Sequence, residues 1–283
     1  MALDLKNLTI RSVSGLVYAG LLIGAIILGP LASAILLGLF AALAAYELEN
    51  NTLRKENPAV WSSMWMLDAI ILIVLIFSFG FSDFTYFGIP IYGGLLFLRF
   101  FLQIFMKQRN PLKPIAIMAF EQLYLGVPLC MFVALTGIFC FSPWILVCAL
   151  AMIWINDTGA YIVGSLFGRH KMFPSLSPKK SWEGFLGGLA FNIGFAFIVF
   201  YCFNLRSFTL FSNVEGWIYL GICISVLATL GDLFESMLKR SLSIKDFGNI
   251  IPGHGGILDR IDSLLFVVPG AVLASYIAIY ILL

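Results

Sequence analysis

Nine stretches of about 20 mostly apolar residues dominate this chain, covering 12–29, 31–47, 62–80, 85–105, 121–141, 143–166, 183–203, 216–238 and 262–283. A segment of that length crosses a hydrocarbon core as an α-helix. The helix is favoured there because lipid offers no partner for an open backbone N–H or C=O. With 61% hydrophobic and only 11% charged residues, and a mean hydropathy of +0.99, an ordinary soluble domain is excluded. The fold expected is an all-α polytopic membrane protein with about nine transmembrane helices. The boundary between the first two spans, at Gly29-Pro30, is the least defined. Lys6 and Arg11 before an apolar run, with Ala32-Ser33-Ala34 after it, imitate a signal peptide. The apolar pattern runs on through Tyr46, so the segment reads as retained.

Lysine and arginine set the orientation. They gather at the N-terminus (Lys6, Arg11) and in the connections 48–61, 106–120, 167–182 and 239–261, whereas the alternate connections hold only Arg206. This alternation puts the N-terminus in the cytoplasm and the C-terminus outside, in the cell (inner) membrane. The net charge of +2 gives no ground for a nucleic-acid partner. Five cysteines lie scattered without a C-x-x-C pair and read as small hydrophobes. Two histidines cannot build a histidine-rich metal site. The charges of the first 140 residues fall almost entirely in loops, while the second half carries acids inside spans. Two regions are therefore expected: a scaffold over 1–141, and a catalytic region over 142–283 with cytoplasmic loops 167–182 and 239–261.

Three constellations in the second region carry chemistry. The first is a set of acids. Asp157 lies within the sixth span, about 15 Å from its cytoplasmic end at 1.5 Å per residue. Asp232 and Glu235 share a helix face near the end of the eighth span. Asp259 and Asp262 are likewise three apart at the start of the ninth. If the loop between spans eight and nine folds back, Asp232, Asp259 and Asp262 converge at headgroup depth. Such hard oxygen donors suit Mg²⁺ and suit zinc poorly. Glu235 stands four residues before Lys239, so a local ion pair competes with a ligand role there.

The second constellation is the turn Pro252-Gly253-His254-Gly255-Gly256, whose glycines permit positive φ and close backbone approach. It feeds the ninth helix, whose N-terminus favours anions. Lys239, Arg240 and Lys245 precede it, and Asp259-Arg260 and Asp262 follow. A metal-bound polyphosphate fits this set, and no G-x-x-x-x-G-K-[ST] pattern occurs to make it a P-loop. The third constellation is the basic loop from Gly168 to Gly184. It includes Ser177, Lys179 and Lys180, with Ser181 placed to cap the seventh span.

Together these segments resemble the phosphatidate cytidylyltransferase family. The signature S-x-x-K-R-x4-K-D, P-G-H-G-G, an apolar pair and D-R-x-D reads here as Ser236, Lys239, Arg240, Lys245, Asp246, Pro252 to Gly256, Ile257-Leu258, Asp259-Arg260 and Asp262. Asp157-Thr158-Gly159-Ala160-Tyr161, Ser177 to Gly184 and Gly231 to Ser236 match the other family motifs. Asn156 stands where bacterial members often carry a small residue. The resemblance covers about 150–268, with the first 140 residues alike in membrane character only.

It implies condensation of CTP with phosphatidic acid to CDP-diacylglycerol and pyrophosphate at the cytoplasmic face of the bilayer. Asp232, Asp259 and Asp262 would hold Mg²⁺, and a second cation beside Asp262 would complete a two-metal arrangement. Lys239 and Arg240 would act with these acids. Asp157, Ser177, Lys179, Lys180, Lys245, Asp246, Gly253, His254, Gly255, Gly256 and Arg260 would bind substrate. The family also implies a homodimer. Two alternatives stay open: a CTP-dependent lipid (polyprenol) kinase or a cytidylyltransferase for another lipid phosphate, and a cation-coupled transporter.

Overall fold

The fold, given by a computed structural model that describes residues 5–55, 58–79, 82–106, 110–137, 142–203, 213–253 and 255–282, is helical almost throughout. Its helices are α1 (Leu5–Leu28), α2 (Pro30–Thr52), α3 (Pro58–Ser78), α4 (Ser82–Phe105), α5 (Leu112–Glu121), α6 (Val127–Thr136), α7 (Pro143–Phe167), α8 (Trp182–Ile198), α9 (Val214–Ser241) and α10 (Leu258–Leu282). Strands β1 (Lys171–Phe173) and β2 (Ser177–Ser181) form a small antiparallel ribbon between α7 and α8.

Among the described residues, six segments are long and apolar enough to cross a membrane. They are Pro30–Thr52, Phe84–Phe105, Leu112–Thr136, Pro143–Phe167, Trp182–Cys202 and Val214–Ser241. The apolar helices Ser12–Leu28 and Met64–Ser78 are shorter. Large apolar side chains such as Leu16, Leu28, Phe97 and Ile104 remain exposed, a surface suited to lipid. The architecture is thus all-α and of multi-pass membrane type.

Local chemistry explains the breaks. α1 stops at Gly29, whose φ of 100° lies in the left-handed region, and Pro30 then opens α2 at a position where its missing N–H costs nothing. Between α5 and α6 the helix widens into a π turn over Gln122–Gly126. Pro128, two residues on, cannot donate back to the preceding turn. Ser181 caps α8 as expected, its Oγ accepting from Gly184 N–H at 3.2 Å.

The chain divides into two compact units. One comprises Met1–Phe141 with Leu242–Ile261, the other Ser142–Ser241 with Asp262–Leu283. Segment 242–261, expected to belong with the second region, packs with the first. In the first unit a stripe of Ala34, Leu37, Ala41 and Ala44 buries the inner face of α2. Small residues at this spacing let α2 lie close to α3 and α6.

The expectation that charges of the first 140 residues stay in loops fails in this unit. Asp68, Arg99, Glu49 and Glu121 are all buried, none more than 1% exposed. Arg99 Nε donates to Asp68 Oδ1 at 2.7 Å, and Nη1 donates to Gln103 Oε1 at 2.6 Å. Isolated charges in apolar windows gave no hint of this, because hydropathy does not say which helix faces meet.

In the second unit α8 lies almost backbone to backbone on α7. A Cβ added at Gly188 would sit 2.8 Å from Asn156 O. α9 and α10 meet as closely, since a Cβ at Gly231 would sit 2.7 Å from Asp262 O. That second approach carries the acids of both helices to one place.

Candidate active site

Asp232 and Glu235 occupy successive turns of α9, and Asp262 lies one turn into α10. Each offers a carboxylate oxygen, and the three oxygens lie within 4.8 Å of one another. Around them the second unit supplies two lysines. Lys180, from β2, reaches Asp232 Oδ2 at 2.9 Å and also donates to Thr229 O at 3.2 Å. Lys239 binds Glu235 Oε2 at 2.6 Å across one helical turn. Ser236 Oγ donates to Asp232 Oδ1, and Ser263 N–H to Asp262 Oδ1. Asp157 and Lys239 both lie within electrostatic reach of Asp262.

Carboxylates outnumber ammonium groups in this set, and every donor is a hard oxygen. Those two properties fit a divalent cation such as Mg²⁺. The surplus negative charge is otherwise expensive at the depth of a membrane helix. The sequence weighed Glu235 as either an ion-pair partner or a ligand. The structure gives it the ion pair and a place in the acid cluster together.

A cavity of about 700 Å³ opens beside the cluster within the same unit. Its walls include Asn156, Asp157, Ser177, Lys179, Lys180 and Asp232. Sequence-predicted residues from α7, from the ribbon and from α9 therefore meet on one concave surface, of a size that holds a nucleotide. Arg240 reaches back to the ribbon turn, its Nε donating to Leu176 O at 3.3 Å.

The remaining predicted residues belong to the first unit. Asp259, expected as a metal ligand beside Asp232 and Asp262, turns its Oδ2 to the N–H groups of Phe247 (3.0 Å) and Gly256 (2.9 Å). It closes its own loop, because a carboxylate at a helix N-terminus has unsatisfied backbone donors within reach. Gly253 and Gly255 adopt φ of 74° and 87°, which explains why glycine stands at both. Lys245, Asp246, Gly253 and Arg260 are exposed, and His254 lies outside the described residues. Two N–H groups at the entry to α10, where contact with phosphate was expected, are already taken. Glu47 accepts from Ile257 and Leu258, each at 3.0 Å. Sequence reasoning missed Glu47, whose one signal was an acid at the last position of an apolar run.

A model of the cytidylyltransferase family matches residues 9–279. The chain belongs to that family. A phosphatidate cytidylyltransferase of Bacillus subtilis (strain 168) is 31% identical over 275 residues, covering 94% of this chain and 96% of its own length. Phosphatidate cytidylyltransferases of Staphylococcus aureus (strain COL) and Haemophilus influenzae (strain ATCC 51907 / DSM 11121 / KW20 / Rd) are 46% and 44% identical. Those two alignments span only 45% and 43% of the relatives' own lengths. The likeness to the family therefore extends well into the N-terminal helices, beyond the 150–268 that its motifs mark.

Proposed function

We propose that this chain is a phosphatidate cytidylyltransferase, condensing CTP with phosphatidic acid to give CDP-diacylglycerol and pyrophosphate. The observation that carries the reading is the cavity of the second unit, which joins Lys179, Lys180 and Ser177 to Asp157 and Asp232 beside a cluster of three acids. The names of the relatives above support the same substrates.

In this reading Lys179 and Lys180 receive the triphosphate, and the Ser177 hydroxyl offers a further polar contact. Asp232, Asp262 and Glu235 would hold Mg²⁺. Bound there, the ion would neutralise the non-bridging and leaving oxygens of the triphosphate. An oxygen of the lipid phosphate attacks the α-phosphorus in line, the bond from that phosphorus to the β-phosphate oxygen breaks, and pyrophosphate leaves. The lipid phosphate is an anion at neutral pH, so the chain needs no obligatory general base. What it supplies is position and charge. Lys239, paired with Glu235, and Arg240, bound to the ribbon turn, keep the groups on α9 and the ribbon in register. The family resemblance supports a substrate-binding role for Lys245, Asp246, Arg260 and the glycine turn, which belong to the first unit.

The same proposal places nine helices across the cell (inner) membrane, with α1, α3 and α10 joining the six long apolar segments. The N-terminus lies in the cytoplasm, the C-terminus outside and the active site at the cytoplasmic face, in a homodimer. The alternation of basic connections supports the orientation, and the family resemblance supports the dimer.

Product analysis tests the reaction. The purified protein receives radiolabelled CTP, phosphatidic acid and Mg²⁺. Label should move into the lipid phase with release of pyrophosphate. Label left in water as CDP, with phosphate transferred to a lipid alcohol, would make the chain a kinase.

A further inference from the structure

The glycine loop that enters α10 holds its own shape only in part, through Asp259 and the Ile251–Gly255 backbone bond. Its C-terminal side ends in three successive N–H groups, those of Gly256, Ile257 and Leu258, which the helix itself cannot satisfy. Asp259 takes the first. The other two go to Glu47, a residue of α2 more than 200 positions away. Its Oε1 accepts from Ile257 and its Oε2 from Leu258, both at 3.0 Å. Glu47 is only 2% exposed. One turn further along α2, Asn51 donates through Nδ2 to Phe247 O at 2.7 Å and to Glu47 O at 2.8 Å. The loop is thus gripped at both ends by one face of α2.

The packing is specific for this acid. A Cβ added at Gly248 or at Gly256 would overlap the Glu47 carboxylate. Both glycines leave the space that the two oxygens fill. α1 adds two lighter contacts, Ser14 Oγ to Pro252 O at 3.1 Å and Tyr18 hydroxyl to Arg260 O at 2.9 Å.

We propose that Glu47, with Asn51, is a positioning residue for cytidylyl transfer. By fixing the first turn of α10 it sets where Asp262 stands in the acid cluster. Asp262 lies four residues, one helical turn, beyond Leu258. A shift at Leu258 therefore passes along a rigid helix to the carboxylate that completes the cation site. This gives the N-terminal helices a part in the chemistry although, among the described residues, none of them lines the cavity described above. The inference rests on the functional reading just given.

The test is a comparison of Glu47→Gln with the unsubstituted full chain. Glutamine keeps the size, but it replaces one acceptor with a donor that faces an N–H. The expected result is a fall in kcat of about 10²-fold, the scale of a misplacement of about 1 Å. The Mg²⁺ concentration for half-maximal rate should rise, while KM for CTP and the thermal midpoint stay near their original values. A role confined to stability would instead lower the midpoint and leave the Mg²⁺ dependence of the folded fraction unchanged. That result, or an unaltered kcat, overturns the proposal.

A double-mutant cycle keeps the proposal exposed if Glu47→Gln folds poorly. Gly256→Ala alone should be damaging because its Cβ displaces the Glu47 carboxylate. Introduced on top of Glu47→Ala it should add little, since the obstructing group has gone. An equal further loss in both backgrounds would show that Gly256 does not act through Glu47. Amide exchange at Ile257 and Leu258 supplies a readout that needs no turnover, with faster exchange expected in Glu47→Gln. If the unsubstituted chain made no CDP-lipid, the functional reading would fall; unchanged exchange at these two amides would sink the grip itself.

Discussion

Both units bury carboxylates among apolar helices, and they treat them in opposite ways. In the first unit Asp68 faces Arg99 with neither side chain more than 1% exposed. In the second, Asp232 is paired with Lys180 yet keeps 43% of its side-chain surface open, and it lines a cavity. An ion pair sealed from solvent gains from its partner alone, since no substrate reaches it. An acid on the wall of a cavity has its charge available for whatever enters. The presence of an intramembrane acid is therefore a poor guide to chemistry, and its access is a better one.

The largest effect that would break this contrast concerns the sealed pair. Arg99→Met removes the guanidinium and leaves the Asp68 carboxylate buried without its ion-pair partner, which costs about 3–5 kcal/mol of stability. Chemical denaturation in detergent should register that loss, while turnover per folded molecule stays at its original value. A catalytic defect in the folded fraction would show that the first unit's charges are not merely structural. Next in size is Asp262→Asn. It should lower kcat by about 10²–10³-fold, as removal of one preorganised electrostatic group does, with the thermal midpoint nearly unmoved. Full activity would detach the acid cluster from the reaction.

Much of the fold and of the cavity was legible in the sequence, and the limits have physical causes. The helices announced themselves because twenty consecutive apolar residues have few other uses. Gly29-Pro30 marked a real break. Local patterns also held: Ser181 capped α8, and Lys239 met Glu235 one turn away. The motifs around Asp157, Ser177 to Lys180 and Asp232 named residues that the fold brings to one cavity. Pairings between distant segments were not legible. Asp68 with Arg99 and Glu47 with Ile257 and Leu258 depend on which helix faces meet, and a periodicity does not encode that. Asp259 and Asp262 looked equivalent because both stand three apart at a helix start. Their fates differ because the backbone N–H groups of Phe247 and Gly256 lie within reach of one of them.

Glu235 tests the boundary between the two kinds of acid. It is 1% exposed and paired with Lys239, as a structural group would be, yet it shares the cluster with Asp232 and Asp262. Glu235→Gln keeps the shape and weakens the ion pair, so a loss in kcat of about tenfold is expected, worth about 1.4 kcal/mol. Asp232→Asn, assayed beside it, should be clearly more severe. Equal losses would make Glu235 as strong a ligand as Asp232, with its ion pair to Lys239 secondary.

The smallest effect separates access from membership of a unit. Ser225 lies in the second unit but is fully buried, its hydroxyl donating to Gly221 O at 2.9 Å and accepting from Asn192 Nδ2 at 2.9 Å. This joins α8 to α9 away from the cavity walls. Ser225→Ala should cost about 0.6 kcal/mol, the average for one interhelical hydrogen bond in a membrane protein. Equilibrium unfolding measures that cost, and kcat with CTP and phosphatidic acid should not change. A selective fall in kcat would mean that the α8–α9 contact sets the geometry of the acids it supports, so that even a closed polar contact in this unit serves the chemistry.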